Sequence, residues 1–259
     1  MPSAPNPFDL SGKTCLVTGG NRGIGLGMAQ ALIAAGAHCI IWGSSAKNNA
    51  AALKHLRANA KDRVSAQKVN VADETEVMDA FAALMEEHQK IDAVFANAGI
   101  GQFAGTFAEM DTQAWRNVLA VNLDGAFFTL RAAAKAMIAQ GRGGSLVAVA
   151  SLAAIEGAAR NEHYAASKGG LVSMMNAIAV EHGRWHIRAN TILPGWIATD
   201  MTDALRNNEA FQGKVLPRIP IRRWGEPTDF GGVAVYLASD ASAYHSGDTF
   251  IIDGAYRLF

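Results

Sequence analysis

A glycine-rich turn between a short apolar run and an apolar helix is the feature that most constrains the fold of this chain. The run TCLVT at residues 14–18 leads into GGNRGIG and then LGMAQALIAA, so Gly19, Gly23 and Gly25 occupy a turn from strand to helix. Small residues there let the backbone approach a phosphate closely, and the free amides and positive end of the helix attract its charge. The turn predicts a strand-helix unit that can hold a phosphorylated ligand; the alternative is a tight turn without a ligand.

The rest of the chain repeats this alternation of strand and helix. Short runs rich in Val, Ile and Leu predict further strands at residues 38–42, 64–69, 91–96, 145–151, 187–193 and 249–253. Helices are predicted over residues 24–35, 46–58, 74–88, 112–139, 164–182 and 227–238. Apolar strands alternating with helices are typical of a parallel sheet covered on both faces, so we expect one doubly wound α/β (Rossmann) domain of about seven strands. Residues 1–9 are expected to form a flexible lead-in.

Composition and charge exclude several classes of function. Lys and Arg number 23, as do Asp and Glu, so the 259-residue chain lacks the positive excess that nucleic acids or anionic membranes attract. No apolar run has the length of a membrane-spanning helix and no secretion signal begins the chain, so we expect a cytoplasmic protein without such partners. Cys15 and Cys39 are too few for a disulfide framework and are expected in the core. The seven histidines show no metal-ligand spacing, so no metal site is predicted.

Three motifs follow one another along the chain: TGGNRGIG at residues 18–25, NAG at 97–99 and YAASK at 164–168. In order and spacing, and over essentially the whole chain, they resemble the short-chain dehydrogenase/reductase family. The resemblance implies an oxidoreductase that transfers a hydride between a nicotinamide cofactor and a carbonyl or secondary alcohol. Within that family, the chain is similar to 3-oxoacyl-carrier-protein reductases and to sugar-acid and polyol dehydrogenases.

A candidate catalytic group is centred on Tyr164 and Lys168, which lie one helical turn apart. A phenol is a poor proton donor or acceptor at neutral pH, and a neighbouring ammonium stabilises its charged form, so Tyr164 can act as general acid or base. By resemblance, Ser151 hydrogen-bonds the reacting oxygen and Asn122 holds a water that leads to the lysine. A Tyr-x-x-x-Lys pair alone is more typical of a solvated helix surface, and the four residues together favour catalysis.

The resemblance also implies which residues contact the cofactor. The glycine turn would cradle the pyrophosphate, the ends of the third and fourth strands would line the adenosine side, and a Pro-Gly turn followed by Thr would fix the nicotinamide carboxamide. The matching positions are Gly19, Asn21, Arg22, Gly23, Ile24, Gly25, Ser44, Ser45, Asn70, Val71, Asn97, Ala98, Gly99, Tyr164, Lys168, Pro194, Gly195, Ile197 and Thr199. The chain departs from the family at Asn70, where Asp is usual, and at Ala96, where a second Asn is usual.

The choice between NAD(H) and NADP(H) depends on the end of the second strand. In dinucleotide folds, an acid about 20 residues past the glycine turn binds the ribose 2′-hydroxyl and repels a 2′-phosphate, whereas this chain has WGSS at residues 42–45. Residues 10–61 hold six Lys or Arg and no acid, so the remainder, with 17 Lys or Arg and 23 Asp or Glu, sums to −6. Arg22, Lys47 and the two serines are candidates for a 2′-phosphate. NADP(H) is favoured and NAD(H) stays open, because the helix cations also fit a solvated face.

Residues 200–220 match the position of the family's mobile substrate lid, although an ordinary surface connection fits the same stretch. Residues 153–156 and 160–163, Trp196 and this lid are expected to form the substrate wall. His163 could adjoin Tyr164 in the pocket, but it is more typical of a solvated helix start. Family members are commonly tetramers, so we expect a homotetramer that uses the two long predicted helices and the C-terminal segment.

The substrate is left open by the sequence. It is a carbonyl or alcohol in general terms, and the alternatives are a sugar acid or polyol handled with NAD, or a 3-oxoacyl group on a carrier protein. A non-catalytic nucleotide-binding scaffold is disfavoured because Tyr164 and Lys168 are both present.

Overall fold

The computed structural model describes residues 6–60, 62–101, 103 and 105–259. Residues 1–5 of the predicted lead-in and Lys61 of the basic segment lie outside the described residues. The strands are β1 (Thr14–Thr18), β2 (His38–Gly43), β3 (Val64–Lys68), β4 (Ala93–Ala96), β5 (Gly144–Val149), β6 (Ile187–Pro194) and β7 (Thr249–Ile252). They form one sheet in the order β3-β2-β1-β4-β5-β6-β7, and every adjacent pair is parallel. The predicted α/β class is confirmed.

Helices cover both faces of this sheet. They are α1 (Gly23–Ala34), α2 (Ala46–Ala60), α3 (Glu74–His88), α4 (Thr112–Leu119), α5 (Gly125–Gln140), α6 (Glu162–His182), α7 (Asp203–Arg206), α8 (Glu209–Val215) and α9 (Gly231–Ala238). In the described part of the chain, no helix has the length and apolarity that crossing a lipid bilayer requires.

The strand order places a cleft between β1 and β4. The chain runs outwards from β1 to β3, then returns to place β4 on the other side of β1. In open α/β sheets, ligands bind beyond the carboxyl ends of the strands at such a reversal. The segments after β1 and β4 begin with Gly19 and Asn97, both predicted site residues, and they meet at this edge.

Two apolar clusters hold the helices against the sheet. Side chains of β1 alternate between them, with Leu16 in the cluster covered by α3, α5 and α6, and Val17 in the cluster covered by α1, α2 and α9. Cys15 and Cys39 lie in register on β1 and β2, and both are fully buried as predicted. Burial raises the pKa of the Cys39 thiol to about 12, so these residues act as small apolar side chains.

The predicted helix over residues 112–139 is wrong in one respect. It is interrupted between α4 and α5 by a single π-helical turn over Ala120–Asp124. The next residue, Gly125, lies so close to Val71 that a Cβ there would overlap its backbone and side chain. The wider turn therefore lets the second half of the helix pack tightly under the end of β3, and such turns are frequent at functional sites.

The segment predicted as a lid is also more ordered than a bare loop. Within residues 200–220 the chain forms α7 and α8 and then a short 3-10 turn over Leu216–Arg218. The predicted helix over 227–238 begins instead with a 3-10 turn over Pro227–Phe230, because the Glu226 and Asp229 side chains cap it reciprocally, and continues as α9.

Candidate active site

The glycine turn after β1 is held against the end of β4 by hydrogen bonds. Asn97 Nδ2 donates to Thr18 O at 2.9 Å, and Thr18 Oγ1 accepts the backbone N–H groups of Asn97 and Ala98, each at 3.0 Å. A Cβ on Gly25 would overlap the Gly19 carbonyl, so only glycine fits beneath the turn. Sequence reasoning missed the role of Thr18, although its position as the last residue of β1 was the available signal.

A cavity of about 560 Å³ extends along the carboxyl edge of the sheet from the end of β2 to α6. Most of the predicted cofactor residues line it. They are Gly19, Asn21, Arg22, Gly23, Ile24, Ser44, Ser45, Asn70, Val71, Asn97, Ala98, Gly99, Tyr164, Lys168, Pro194 and Thr199. The predicted catalytic Ser151 lines it as well.

Three predicted cofactor residues lie outside the cavity wall. Gly25 is buried under the glycine turn, and Gly195 packs against the backbone of Asp253. Ile197 is buried in the cluster between the sheet and α1. These residues shape the wall from behind, so any direct contact with a ligand falls to their neighbours.

Sequence reasoning also missed part of the wall. The further lining residues are Trp42, Gly43, Asn48, Val69, Ile100, Gly101, Val121, Val149 and Ala150. Four of them, Gly43, Val69, Val149 and Ala150, end a strand or follow one directly, and that position was the signal for them. Asp200 and Met201 of the predicted lid also line the cavity. Among the described lining residues, Asp200 is the one carboxylate.

Tyr164 and Ser151 meet at the end of the cavity nearest α6. Burial raises the pKa of Tyr164, and a hydrogen bond with the Ser151 side chain lowers it in part. The Ser151 side chain is held by a hydrogen bond from the next turn of the chain. Its Oγ caps the 3-10 turn over Leu152–Ala154 by accepting the Ala153 N–H at 3.2 Å. Two hydroxyl groups therefore face one point in the cavity from two different elements.

Lys168 is buried beneath this pair. Its Nζ donates to Val149 O at 2.8 Å and lies 5.5 Å from the centre of the Tyr164 ring. The side chain is only 3% exposed, and burial lowers the pKa of Lys168 to about 8. Lys168 therefore titrates close to neutral pH, next to the phenol that it can stabilise as phenolate.

Asn122 sits on the π-helical turn and does not line the cavity. Its Oδ1 accepts the Ile100 N–H at 2.8 Å, and its Nδ2 donates to Ile100 O at 3.0 Å and to Ser167 Oγ at 3.2 Å. Ser167 Oγ in turn donates to Tyr164 O at 2.7 Å. Asn122 thus joins α6 to the segment after β4, and Gly99 lies between it and Lys168.

The expected substrate wall is corrected by the structure. Residues 153–156 and 160–163 do not line the cavity, and His163 is fully buried rather than solvated. Its Nδ1 accepts the Tyr164 N–H at 2.9 Å. Trp196 packs edge-on against Phe211 of α8, with ring centres 5.2 Å apart, instead of facing the cavity.

The start of the predicted lid crosses the mouth of the cavity. Thr199 lies against Gly23 of the glycine turn, and Met201 lies against Gly101 on the opposite side. The Asp200 carboxylate is 3.8 Å from the Arg22 guanidinium, and both side chains are exposed. The rest of the segment is anchored by Trp196, which also contacts Trp224 and Tyr256 edge-on.

Comparisons with known proteins agree with this arrangement. A family model described as enoyl-(acyl carrier protein) reductase matches residues 19–257. A 3-oxoacyl-[acyl-carrier-protein] reductase of Chlamydia pneumoniae is 36% identical, over 95% of this chain and 97% of the relative. An L-rhamnose 1-dehydrogenase (NAD(P)(+)) of Azotobacter vinelandii is 37% identical, over 95% of this chain and 96% of the relative.

A solved structure shows the same fold. The gluconate 5-dehydrogenase of Burkholderia cenocepacia, in complex with NADP and tartrate, superposes with a TM-score of 0.91 at 30% identity, covering 98% of each chain. The chain belongs to the short-chain dehydrogenase/reductase family, as its motifs predict. It is an oxidoreductase that acts on CH–OH or C=O groups.

Proposed function

We propose that this protein transfers a hydride between NADP(H) and a carbonyl or secondary alcohol, with Tyr164 as general acid and base. The observation that carries the proposal is the convergence of Tyr164, Ser151 and Lys168 at one end of the cavity. When bound, the nicotinamide supplies or accepts the hydride, so the protein itself needs only to bind, orient and move a proton.

The proton chemistry falls to the buried pair on α6. In carbonyl reduction, Ser151 Oγ donates a hydrogen bond to the substrate oxygen and the Tyr164 hydroxyl gives it a proton as negative charge develops there. The Lys168 ammonium stabilises the phenolate that remains, because it is held under the ring in a site of low dielectric. In alcohol oxidation the same groups act in reverse, with Tyr164 as the base.

The residues at the other end of the cavity fit a dinucleotide. The glycine turn leaves room for a pyrophosphate at the start of α1, where backbone amides and the helix dipole favour negative charge. The wall at the end of β2 has the hydroxyl groups of Ser44 and Ser45 and no described carboxylate. With Arg22 on the same cavity, this end suits a 2′-phosphate and supports NADP(H) over NAD(H). The Burkholderia relative was solved with NADP.

Titration calorimetry with NADPH and NADH tests the cofactor assignment. We expect NADPH to bind more tightly, and tighter binding of NADH would refute the preference. Oxidation of NADPH by ketones, keto acids and acetoacetyl thioesters, and reduction of NADP+ by sugars, polyols and sugar acids, then test the reaction in both directions. Turnover of the thioester alone would favour a 3-oxoacyl-carrier-protein reductase, and turnover of sugar acids alone would favour the dehydrogenases. Silence across the whole panel in both directions would favour a non-catalytic scaffold.

We also propose that the protein assembles as a homotetramer through α4, α5, α6 and the C-terminal segment. Large apolar side chains on these elements are exposed in the single chain: Phe127 at 41%, Val180 at 88% and Leu258 at 77%. Burying them between copies would remove apolar surface from water. Light scattering is expected to give a mass near four chains, and a monomer at micromolar concentration would contradict the assembly.

A further inference from the structure

A buried asparagine joins three segments behind the nucleotide end of the cavity. Asn49, in the first turns of α2, accepts the Asn21 side-chain N–H at 2.7 Å. Its own Nδ2 donates to Gly43 O and to Gln67 O, each at 3.0 Å. The glycine turn, the end of β2 and β3 are therefore tied together by one side chain, which is 5% exposed. We call Asn21, Asn49 and Gly43 the asparagine clasp.

The clasp fits around Gly43 without free space. A Cβ at that position would overlap both Asn21 Nδ2 and Asn49 Oδ1. Gly43 O also accepts the Val69 N–H of the chain leaving β3, at 3.2 Å. Only glycine fits at position 43, because the side chains of Asn21 and Asn49 fill the space that a Cβ would need. This packing fixes the end of β2 relative to the glycine turn.

The clasp fixes residues that face the cavity, although Asn49 does not line it. Asn49 is bonded to Gly43 through its side chain and to Ser45 O through its backbone N–H, at 2.9 Å. These two bonds bracket Ser44. On the opposite side, the bond to Asn21 holds the residue that precedes Arg22 in the glycine turn. The Asn49 side chain therefore links Gly43, which precedes Ser44, to Asn21, which precedes Arg22.

We propose that Asn49 is a positioning residue that sets the preference for NADP(H), an inference that depends on the proposed cofactor role of Ser44, Ser45 and Arg22. A 2′-phosphate binds well only if donors from both segments reach it together, because charge-assisted hydrogen bonds depend on geometry. A ribose with a free 2′-hydroxyl makes fewer such bonds. Loss of the clasp therefore weakens NADPH binding more than NADH binding.

The test is calorimetric titration of Asn49→Ala with NADPH and with NADH. We expect the ratio of the two dissociation constants, NADH over NADPH, to fall on the order of tenfold, the effect of about one lost and unreplaced hydrogen bond. The kcat at saturating NADPH should stay near the wild-type value while KM for NADPH rises, because the Tyr164 end is unchanged. Asn21→Ala should lower the ratio too, and the double variant should lower it by less than the two effects combined.

Asn190→Ala is the matched control. Asn190 is also a buried asparagine whose side chain bonds across segments, to His245 O at 2.8 Å and from the Asp248 N–H at 3.0 Å, away from the cavity. It should lower the melting temperature and leave the ratio unchanged. If Asn49→Ala shifts both dissociation constants equally, or only lowers the melting temperature, the proposal is overturned.

These experiments test the positioning role of Asn49 separately from the proposed preference for NADP(H). A wild-type protein that binds NADH more tightly refutes the preference for NADP(H), whatever the variants show. The role of Asn49 is judged only by the change in the ratio from wild type to variant. If Asn49→Ala does not fold, Asn21→Ala carries the test, because Asn21 is only half-buried, and an unchanged ratio in that variant overturns the proposal.

Discussion

The catalytic edge and the lid close the same cavity by different physical means. Tyr164 and Lys168 are fixed by a buried helix, by the hydrogen bond from Lys168 Nζ to Val149 O and by the π-helical turn beneath them. The proposed lid over residues 200–220 is fixed by the edge-on contact of Trp196 with Phe211 and by an exposed ion pair at its start. Satisfied buried hydrogen bonds make their surroundings rigid, whereas exposed ion pairs contribute little to stability. Substitutions at the catalytic edge should therefore affect kcat, and those in the lid should affect KM.

The largest effect is expected from Tyr164→Phe. It removes the hydroxyl proposed to transfer the proton and leaves the ring, so kcat should fall by about 10²–10⁴-fold, the usual contribution of general acid–base catalysis. The dissociation constant for NADPH should change little, since the ring still lines the cavity. Steady-state kinetics and titration calorimetry measure the two quantities. A variant with most of its activity would show that another group moves the proton.

Lys168→Met is expected to lower kcat by less than Tyr164→Phe does and to stabilise the fold. Burial lowers the pKa of Lys168 from 10.5 to about 8, so the folded state binds fewer protons than the unfolded state between these values, and this group's contribution to stability rises with pH there. Below pH 8 the full cost of the buried charge is present. Removing it should raise the free energy of unfolding at pH 7 by roughly 1–3 kcal/mol.

The gain should shrink as the pH is raised towards 10, and urea unfolding at pH 7 and pH 9.5 measures it. A variant less stable than wild type at pH 7 would mean that the hydrogen bond to Val149 O outweighs the cost of burying the charge. Lys135→Met, on the exposed surface of α5, is the control, and its free energy of unfolding should match that of the wild type at both pH values.

Trp196→Ala tests the lid. It removes three edge-on aromatic contacts, each contributing about 0.5–1.5 kcal/mol, so α8 should lose its attachment to the body of the protein. We expect KM for the carbonyl substrate to rise on the order of tenfold with a smaller change in kcat. Trp185→Ala, at the far end of α6, is the matched control and should leave KM unchanged. If Trp196→Ala lowered kcat as much as Tyr164→Phe does, the assignment of kcat effects to the catalytic edge and KM effects to the lid would be wrong.

Local signals in the sequence predicted the elements whose stability is local. Helix α3 was predicted to the residue, because Asp73 caps its start by accepting the Thr75 and Glu76 N–H groups and the left-handed Gln89 ends it. The glycine turn and the Tyr164–Lys168 pair were predictable for the same reason: each lies within one turn of the chain. Spacing along the chain was sufficient to place these residues together, and the resemblance to a known family supplied their roles.

Features that depend on distant partners were not predictable. The π-helical turn at Ala120–Asp124 contains no Gly or Pro that would predict a break in the helix. It coincides with the close packing of Gly125 on Val71, a residue from a distant part of the chain. His163 follows a polar stretch typical of a solvated helix start, yet it is buried. Asn49 lies in a helix with an otherwise polar surface, and its partner Asn21 is 28 residues away in the chain. In each case the deciding contact comes from another element.

The smallest effect is expected from Asp200→Asn. The Asp200 carboxylate lies 3.8 Å from the Arg22 guanidinium, with both side chains exposed, so the pair should contribute little to stability and the melting temperature should hardly change. If Arg22 binds a 2′-phosphate as proposed, that phosphate competes with this carboxylate for the same guanidinium. Neutralising Asp200 should therefore tighten NADPH binding by about two- to threefold at low salt and leave NADH binding unchanged, with the difference vanishing in concentrated salt. Glu209→Gln, an exposed carboxylate on α8, is the control. If Asp200→Asn instead weakens NADPH binding, then the ion pair holds residue 200 in the position that cofactor binding needs. The start of the lid would then be part of the rigid cofactor site, and not a mobile segment.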